Sequence, residues 1–399
     1  MMKYFWIVVS LFTLSCQAQI ISSNTIVKFT EYEGKERAWI HDIQFVNDSL
    51  YFVKGAFTGD LNLGDTLIAG GEDYTFFIAL FKNDTLVNTL VLDNVEYVKL
   101  YSDKNGNFVL TGNSGFGSGF VSYYDSTFKR RWKKVFSLTN NESDLSIFSW
   151  LDIEIDDNNN VYGLFLIEGG DLKCKGQLFS KKGDLLLKFN STGDILFAKQ
   201  ISKPRAFTKL TLTRGKIFAT YQNSFSAFDV DRGNPIVNEK LVNESITADV
   251  VNNGYYRAAT NNTKPEKFSV VKYDNLGNQL FKNEIVECKG QKRTGELVDF
   301  DKERLLFIST DHIGEPAGSG SSDYAINCFV VEKKNLLITD SWTIKCDNIH
   351  EDVIIKKHGK VLYIGFTYFK SSRFGDIVLH NDREFPFNES FAIVKYKIN

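Results

Sequence analysis

Carboxylates recur at matching points along this chain. Asp42, Asp152, Asp249, Glu296 and Asp352 each fall near the start of a short strand-like segment, with Lys209 and the pair Glu96-Tyr97 at corresponding points of two further segments. His41 and His350 lie beside two of them. Gathered round one opening, such carboxylates would act as hard oxygen ligands for a cation or a basic ligand. A pair at the right separation would instead serve as acid and base toward a glycosidic bond. The plainer alternative is a solvated rim where Asp side chains cap turn backbone. The candidate ligand-binding set is therefore His41, Asp42, Asp152, Glu296, His350 and Asp352.

Motifs for other chemistry are lacking. The chain has no G-x-S-x-G, H-E-x-x-H or phosphate-loop pattern, and His312, His358 and His380 fall in loops or turns with no nucleophile motif beside them. The Gly/Ser-rich run from Gly314 leads into a strand-like segment, so it lacks the helix N-terminus that a phosphate cradle uses. Runs such as those from Asp103 and Asp156 mimic calcium loops without the full ligand pattern, and they sit where hairpin turns are expected. No catalytic residue, cofactor or metal is assigned.

The elements that would hold these residues are strands. The chain has 399 residues, 43% hydrophobic, with 34 Phe and 17 Tyr against 5 Pro, and a formal net charge of −2. Aromatic residues suit a pleated, half-buried surface, and no stretch of 15 residues shows helical periodicity. Near-neutral charge argues against nucleic acid or an acidic membrane as the main partner. Length alone would suit two or three domains.

A repeat narrows this to one. A short strand, a polar turn, an aromatic strand often ending in Gly, a variable connection, a strand reading apolar-Lys-Tyr/Phe, and a last strand recur from near residues 40, 96, 150, 208, 247, 296 and 351. A period of about 50 residues lies in the propeller range. The last copy ends at "SFAIVKY", short of a final strand, while "NTIVKFTEYEG" from Asn24 reads like one. The expected fold is thus all-β: one propeller of seven four-stranded blades over 20–399, closed by the N-terminal strand pairing into the last blade, which removes exposed sheet edges. Gly in "DKNGN", "NSTGD" and "DNLGN" supplies the positive φ such hairpins need.

The stretch "GAFTGDLNLGDTLIAGGEDYTFFIALF" from Gly55, with a weaker counterpart from Gly365, resembles the SBBP-type β-propeller repeat of secreted bacterial proteins. That resemblance implies a propeller and export, and it implies no defined reaction. Connections between second and third strands are long at Ala56–Tyr74, Leu164–Asp184, Asp311–Asp323 and Phe366–Glu389, and long loops on a rigid scaffold commonly bind. The expected function is non-catalytic binding of an envelope protein or glycan through that loop-rich face, by a monomer. The alternative is a propeller glycoside hydrolase or lyase using the carboxylates.

Residues 1–19 read as an export segment, with Lys3 followed by an apolar stretch Tyr4–Leu14. Cleavage after Ala18 competes with a lipobox-like Thr13-Leu14-Ser15-Cys16, in which Cys16 would carry the lipid and be the sole membrane attachment. The expected location is periplasm or outer membrane. Cys174, Cys288, Cys328 and Cys346 read as thiols rather than a disulfide framework, and no C-x-x-C pair points to zinc.

Overall fold

The computed structural model describes residues 37–398 apart from 64–65, 72, 93–94, 96, 114–117, 140–146, 169–170, 175–176, 180–182, 203–208, 214, 222–223, 242–244, 252–254, 262–266, 275–277, 288–290, 314–321, 375–376 and 381–389. Residues 1–36, which include the stretch read above as an export segment, Cys16 and the run from Asn24, lie outside the described residues.

Every described element is a strand. The first sheet runs outward as Arg37–Asn47, Leu50–Thr58, Thr75–Lys82 and Thr85–Leu92, each strand antiparallel to the last. Four more sheets repeat this order, with inner strands Tyr97–Ser102, Ile147–Ile155, Lys209–Thr213 and Ser245–Val251. A sixth sheet begins at Gln291–Asp299 and has seven strands, because Ile338–His358 is continuous over 21 residues. That strand is the fourth from the inner edge Gln291–Asp299, and it also pairs with Val361–Phe374, which in turn pairs with Ser390–Lys397. The inner strands touch in chain order, and Ile338–His358 touches Arg37–Asn47.

Turn chemistry explains the hairpins. Asp103 Oδ1 accepts from the amides of Asn105 and Asn107 at 2.8 and 2.9 Å, while Gly106 takes φ 80°. Asp156 binds Asn158 and Asn160 in the same way. The carboxylates that mimicked calcium ligands are thus occupied by their own backbone, as Asx turns are.

The aromatic excess packs sheet against sheet. Phe52, Phe108 and Tyr124 join the first sheet to the second, with Phe108 and Tyr124 stacked at 4.9 Å. Tyr123, Trp132 and Phe189 join the second to the third. Tyr363 and Ile393, from the far end of the chain, complete the core on the other face of the first sheet. Burying one such ring contributes on the order of 2–3 kcal/mol. Gly55, the sixth residue of Leu50–Thr58, lies against the Trp39 carbonyl and the Phe77 ring, leaving no room for a Cβ.

The apolar-Lys-Tyr/Phe signature also has a mechanical meaning. Lys188, Lys272 and Lys395 stand directly opposite Tyr162, Tyr256 and Tyr363 on the neighbouring strand. Each ammonium lies 5.0–5.4 Å from that ring centroid. Each then reaches the next sheet: Lys188 to the Val230 carbonyl at 2.7 Å, Lys272 to the Lys333 carbonyl at 3.4 Å, and Lys395 to the Asp84 carboxylate of the first sheet. Cation–π contact and a bond to the neighbouring sheet make one side chain serve two interfaces.

The connections between second and third strands differ in extent from the sequence reading. Two fold as small hairpins, Leu61–Leu63 with Thr66–Ile68 and Leu172–Cys174 with Gln177–Phe179. In the sixth repeat the ladder continues to Ile313 opposite Asp323, so the region expected to be loop from Asp311 is partly strand. In the seventh, Val361–Phe374 extends past Phe366 and pairs with Ile377–His380. Period-2 alternation fades at sheet margins, and backbone pairing there is set by the neighbouring strand.

Candidate functional site

Two strands place the first site residues by the same device. Ile40 opposes Gly55 and Asp42 opposes Lys54, so His41 bulges out of the ladder. In the third sheet Trp150 opposes Phe165 and Asp152 opposes Leu164, leaving Leu151 in the equivalent bulge. A bulge re-aims the side chains that follow it. Asp42 and Asp152 therefore line one cavity of about 450 Å³, together with Glu154, Lys54, Lys99 and Lys209, and with Gln44, Tyr101, Ser102 and Lys356.

The cavity lies deeper than the sequence reading placed it. Asp42 is the sixth residue of Arg37–Asn47, and Asp152 the sixth of Ile147–Ile155. Both strands begin several residues before the expected starts, so these carboxylates sit halfway along the inner wall and not at its rim. Nor is the described wall mainly acidic. Asp42, Lys99, Asp152 and Lys209 alternate in sign from one inner strand to the next, with Lys54 and Lys356 added. The sequence did carry a signal for the lysines: Lys54, Lys99 and Lys356 interrupt otherwise apolar runs in "YFVKG", "YVKLY" and "DVIIKKH".

These groups bond across sheet boundaries. Lys54 donates to the Val98 carbonyl of the second sheet at 2.8 Å, and Lys99 donates to the Leu151 carbonyl of the third. Asp152 accepts from the Tyr101 hydroxyl at 2.6 Å and from the Leu210 amide of the fourth sheet at 2.7 Å. Asp42 accepts from the Ile43 amide and from the Gln44 side chain, both at 2.9 Å, with Lys356 at 3.9 Å.

Burial within the wall shifts the ionisations. Lys54 is pushed down to about 8, chiefly by loss of hydration, opposed by Asp42 and reinforced by Lys99 and Lys356. Lys99 is lowered by burial against the pull of Asp152 and Asp42. Asp152 is raised by burial, opposed by its bonds to Tyr101 and Leu210. Glu154 is pushed up to about 8 by burial and then by Asp152, so it is mostly a neutral acid at pH 7. His41 meets Phe76 edge-on at 5.9 Å; part of its ring is open to solvent, yet burial and then Lys54 lower it to about 4, with Asp42 opposing.

The remaining candidates enter as backbone positions. Glu296 opposes Ile308 in Gln291–Asp299, and His350 opposes Thr367. Asp352 falls in the register shift between His350 and Ile354. The side chains of all three, and of Asp249, lie outside the described residues. Among the described residues no group of three or more His, Cys, Asp or Glu could hold a metal ion. Cys328 and Cys346 are buried free thiols whose pKa burial pushes up, whereas the Cys174 side chain and all of Cys288 lie outside the described residues.

The class these features define is an all-β, propeller-like array of antiparallel sheets. No family model and no curated protein matches the chain. Among solved structures, a protein of unknown function from Bacteroides caccae is similar at 11% identity over 67% of this chain and 89% of its own, with a TM-score of 0.40. The Pan2 WD40 domain of Neurospora crassa is similar at 9% identity over 75% and 89%, with a TM-score of 0.41. Kuenenia stuttgartiensis hydrazine synthase is similar at 10% identity over 70% and 79%, with a TM-score of 0.43. Likenesses this distant say nothing of chemistry.

Proposed function

We propose that this protein is an exported, non-catalytic β-propeller of seven four-stranded blades, of the SBBP type its repeats resemble, which binds a protein or glycan of the bacterial envelope. The observation that carries this reading is the succession of inner strands that comes back from Ile338–His358 to Arg37–Asn47 round a charged cavity. Two further bonds support closure at that seam: Lys395 with Asp84, and His358 with Asp48 at 2.8 Å. The seventh blade takes its fourth strand from the run at Asn24, which caps an otherwise open edge.

Binding uses the face where second and third strands connect. There the two small hairpins expose Leu67 and Leu178, each 58% accessible, at equivalent positions on the first and third sheets. The hydrolase alternative draws less support, because Asp42 and Asp152 each have both carboxylate oxygens hydrogen-bonded within the protein. Export proceeds through Lys3 and Tyr4–Leu14, with Cys16 the lipid anchor if cleavage precedes it; mass spectrometry of the mature N-terminus reads either a diacylated or triacylated Cys16 or a free Gln19.

The test of function is capture by the mature chain from a glycan array and an envelope extract. Saturable capture that falls at least tenfold in Leu67→Asp/Leu178→Asp, with Tm unchanged, supports the reading. No capture from either source overturns it.

A further inference from the structure

The central cavity has a composition that selects among ligands. Of its described lining residues, only Leu100 and Ile155 are aliphatic, so it has no greasy pocket for an apolar side chain. It offers hydroxyls and an amide from Tyr101, Ser102 and Gln44 beside four lysines. At about 450 Å³ it lies within the ordinary range for small-molecule sites.

Lysines outnumber carboxylates along the described wall, four against Asp42, Asp152 and Glu154. Lys54 and Lys99 are anchored on the carbonyls of Val98 and Leu151, which hold an ammonium in place but leave its full charge. The carboxylates already hold partners: Asp152 the Tyr101 hydroxyl and the Leu210 amide, and Asp42 the Gln44 side chain, the Ile43 amide and, at 3.9 Å, Lys356. Glu154, with a pKa of about 8, is mostly protonated at pH 7, so four lysines face Asp42 and Asp152 across the described wall. The low pKa of Lys54 comes first from burial, with Asp42 opposing it and Lys99 and Lys356 adding to it.

We infer that this cavity binds an acidic sugar unit, its carboxylate held among Lys54, Lys99 and Lys356 and its ring hydroxyls shared between Tyr101, Gln44 and Glu154. A polyhydroxylated ring needs donors and acceptors side by side, and a carboxylate needs fixed positive charge in a site of reduced dielectric. The alternating wall supplies both. The inference rests on the proposed binding role and names its ligand class.

A proton should accompany the ligand. An anion beside Lys54 raises its pKa from about 8 toward the usual lysine value, so binding takes up protons between roughly pH 8 and 10. Among the described residues, the titratable and charged groups facing Lys54 are His41 and Asp42 on its own sheet, Lys99, Asp152, Glu154 and Lys209 on the next three, and Lys356 on the last. Glu154 acts in the same sense, since a bound anion also holds it protonated to higher pH, and both effects make the acidic ligand bind less well above pH 8.

The experiment is calorimetric titration of the mature protein with digalacturonate and with neutral digalactose. Digalacturonate is expected to bind at least tenfold tighter, to weaken tenfold in Lys356→Ala and in Lys356→Gln with Tm unchanged, and to weaken again between pH 7 and 9.5 with net proton uptake at pH 8.5. Equal affinity for the neutral sugar overturns the inference, as does unchanged affinity in both Lys356 variants. Binding of a dicarboxylic dipeptide as tightly as digalacturonate overturns the sugar assignment. If neither sugar binds while an envelope protein is still captured, the inference fails and the broader binding role stands; if nothing is captured at all, both fail.

Discussion

Two populations of carboxylates in this molecule have the same side chains and opposite chemistry. Those at the hairpin turns, such as Asp125, Asp229 and Asp301, sit at or near the surface and are lowered by bonds from their own loops: first the Thr127 hydroxyl at Asp125, backbone amides at Asp229 and the Arg304 guanidinium at Asp301, with backbone amides adding to the first and last. Those on the inner wall, Asp152 and Glu154, lose hydration and are raised, even though lysines stand nearby. Residue type does not separate the two groups. What differs is whether water or a neighbouring sheet supplies the partners. Turn carboxylates hold local geometry that water could largely replace, whereas Asp152 joins one sheet to the next.

The largest break in that contrast comes from Asp152→Ala. It orphans the Tyr101 hydroxyl and the Leu210 amide together, and should cost about 3 kcal/mol in urea denaturation at pH 7. A cost below that of Asp103→Ala would remove the distinction between wall and turn. Next comes Glu154→Gln. Because the folded protein holds this proton up to about pH 8 and the unfolded chain releases it near 4.5, folding stability from this group falls as pH rises between those values. The amide avoids that loss, so the variant should gain on the order of 2 kcal/mol over wild type at pH 8 and nothing at pH 4.

Asp103→Ala is a smaller perturbation, about 1 kcal/mol, since the freed amides of Asn105 and Asn107 can bind water. His41 sharpens the comparison from the basic side. Its folded pKa of about 4 means the unfolded chain takes up the proton first, so stability declines as pH falls from 6.5 to 4. Solvent screening at the open edge of the ring holds the effect below about 1 kcal/mol; a proton NMR titration should show the His41 ring still neutral at pH 5, where an ordinary histidine is charged. Smallest of all is Lys104→Ala. Its pair with Asp157 at 2.6 Å joins two exposed side chains, and Tm should not change.

Much of the architecture was legible because it is local and repeated. The turn glycines Gly106 and Gly193 take φ 80° and 85°, as "DKNGN" and "NSTGD" require. The apolar-Lys-Tyr/Phe triplet was visible as a pattern, yet its purpose was not. Lys188 sits opposite Tyr162 in the ladder but bonds to Val230, 42 residues away and in another sheet. Asp42 and Asp152 were likewise found by position, while their depth was misjudged and Glu154 was missed. A bulge at His41 and strands that begin before the alternation becomes evident both shift the site along the strand without leaving a mark on composition.

By itself, then, the sequence determined β structure, the repeat, the turn geometry and the carriers of charge near the start of each repeat, because each of these follows from neighbours within a few residues. The tertiary structure alone decided that Asp42, Lys99, Asp152 and Lys209, more than 50 residues apart in succession, would share one wall and alternate in sign. It also decided which of those charges are spent on neighbouring sheets. The physical reason is that pKa and partnership depend on distance in space and on lost water, and successive inner strands come together only when the sheets pack.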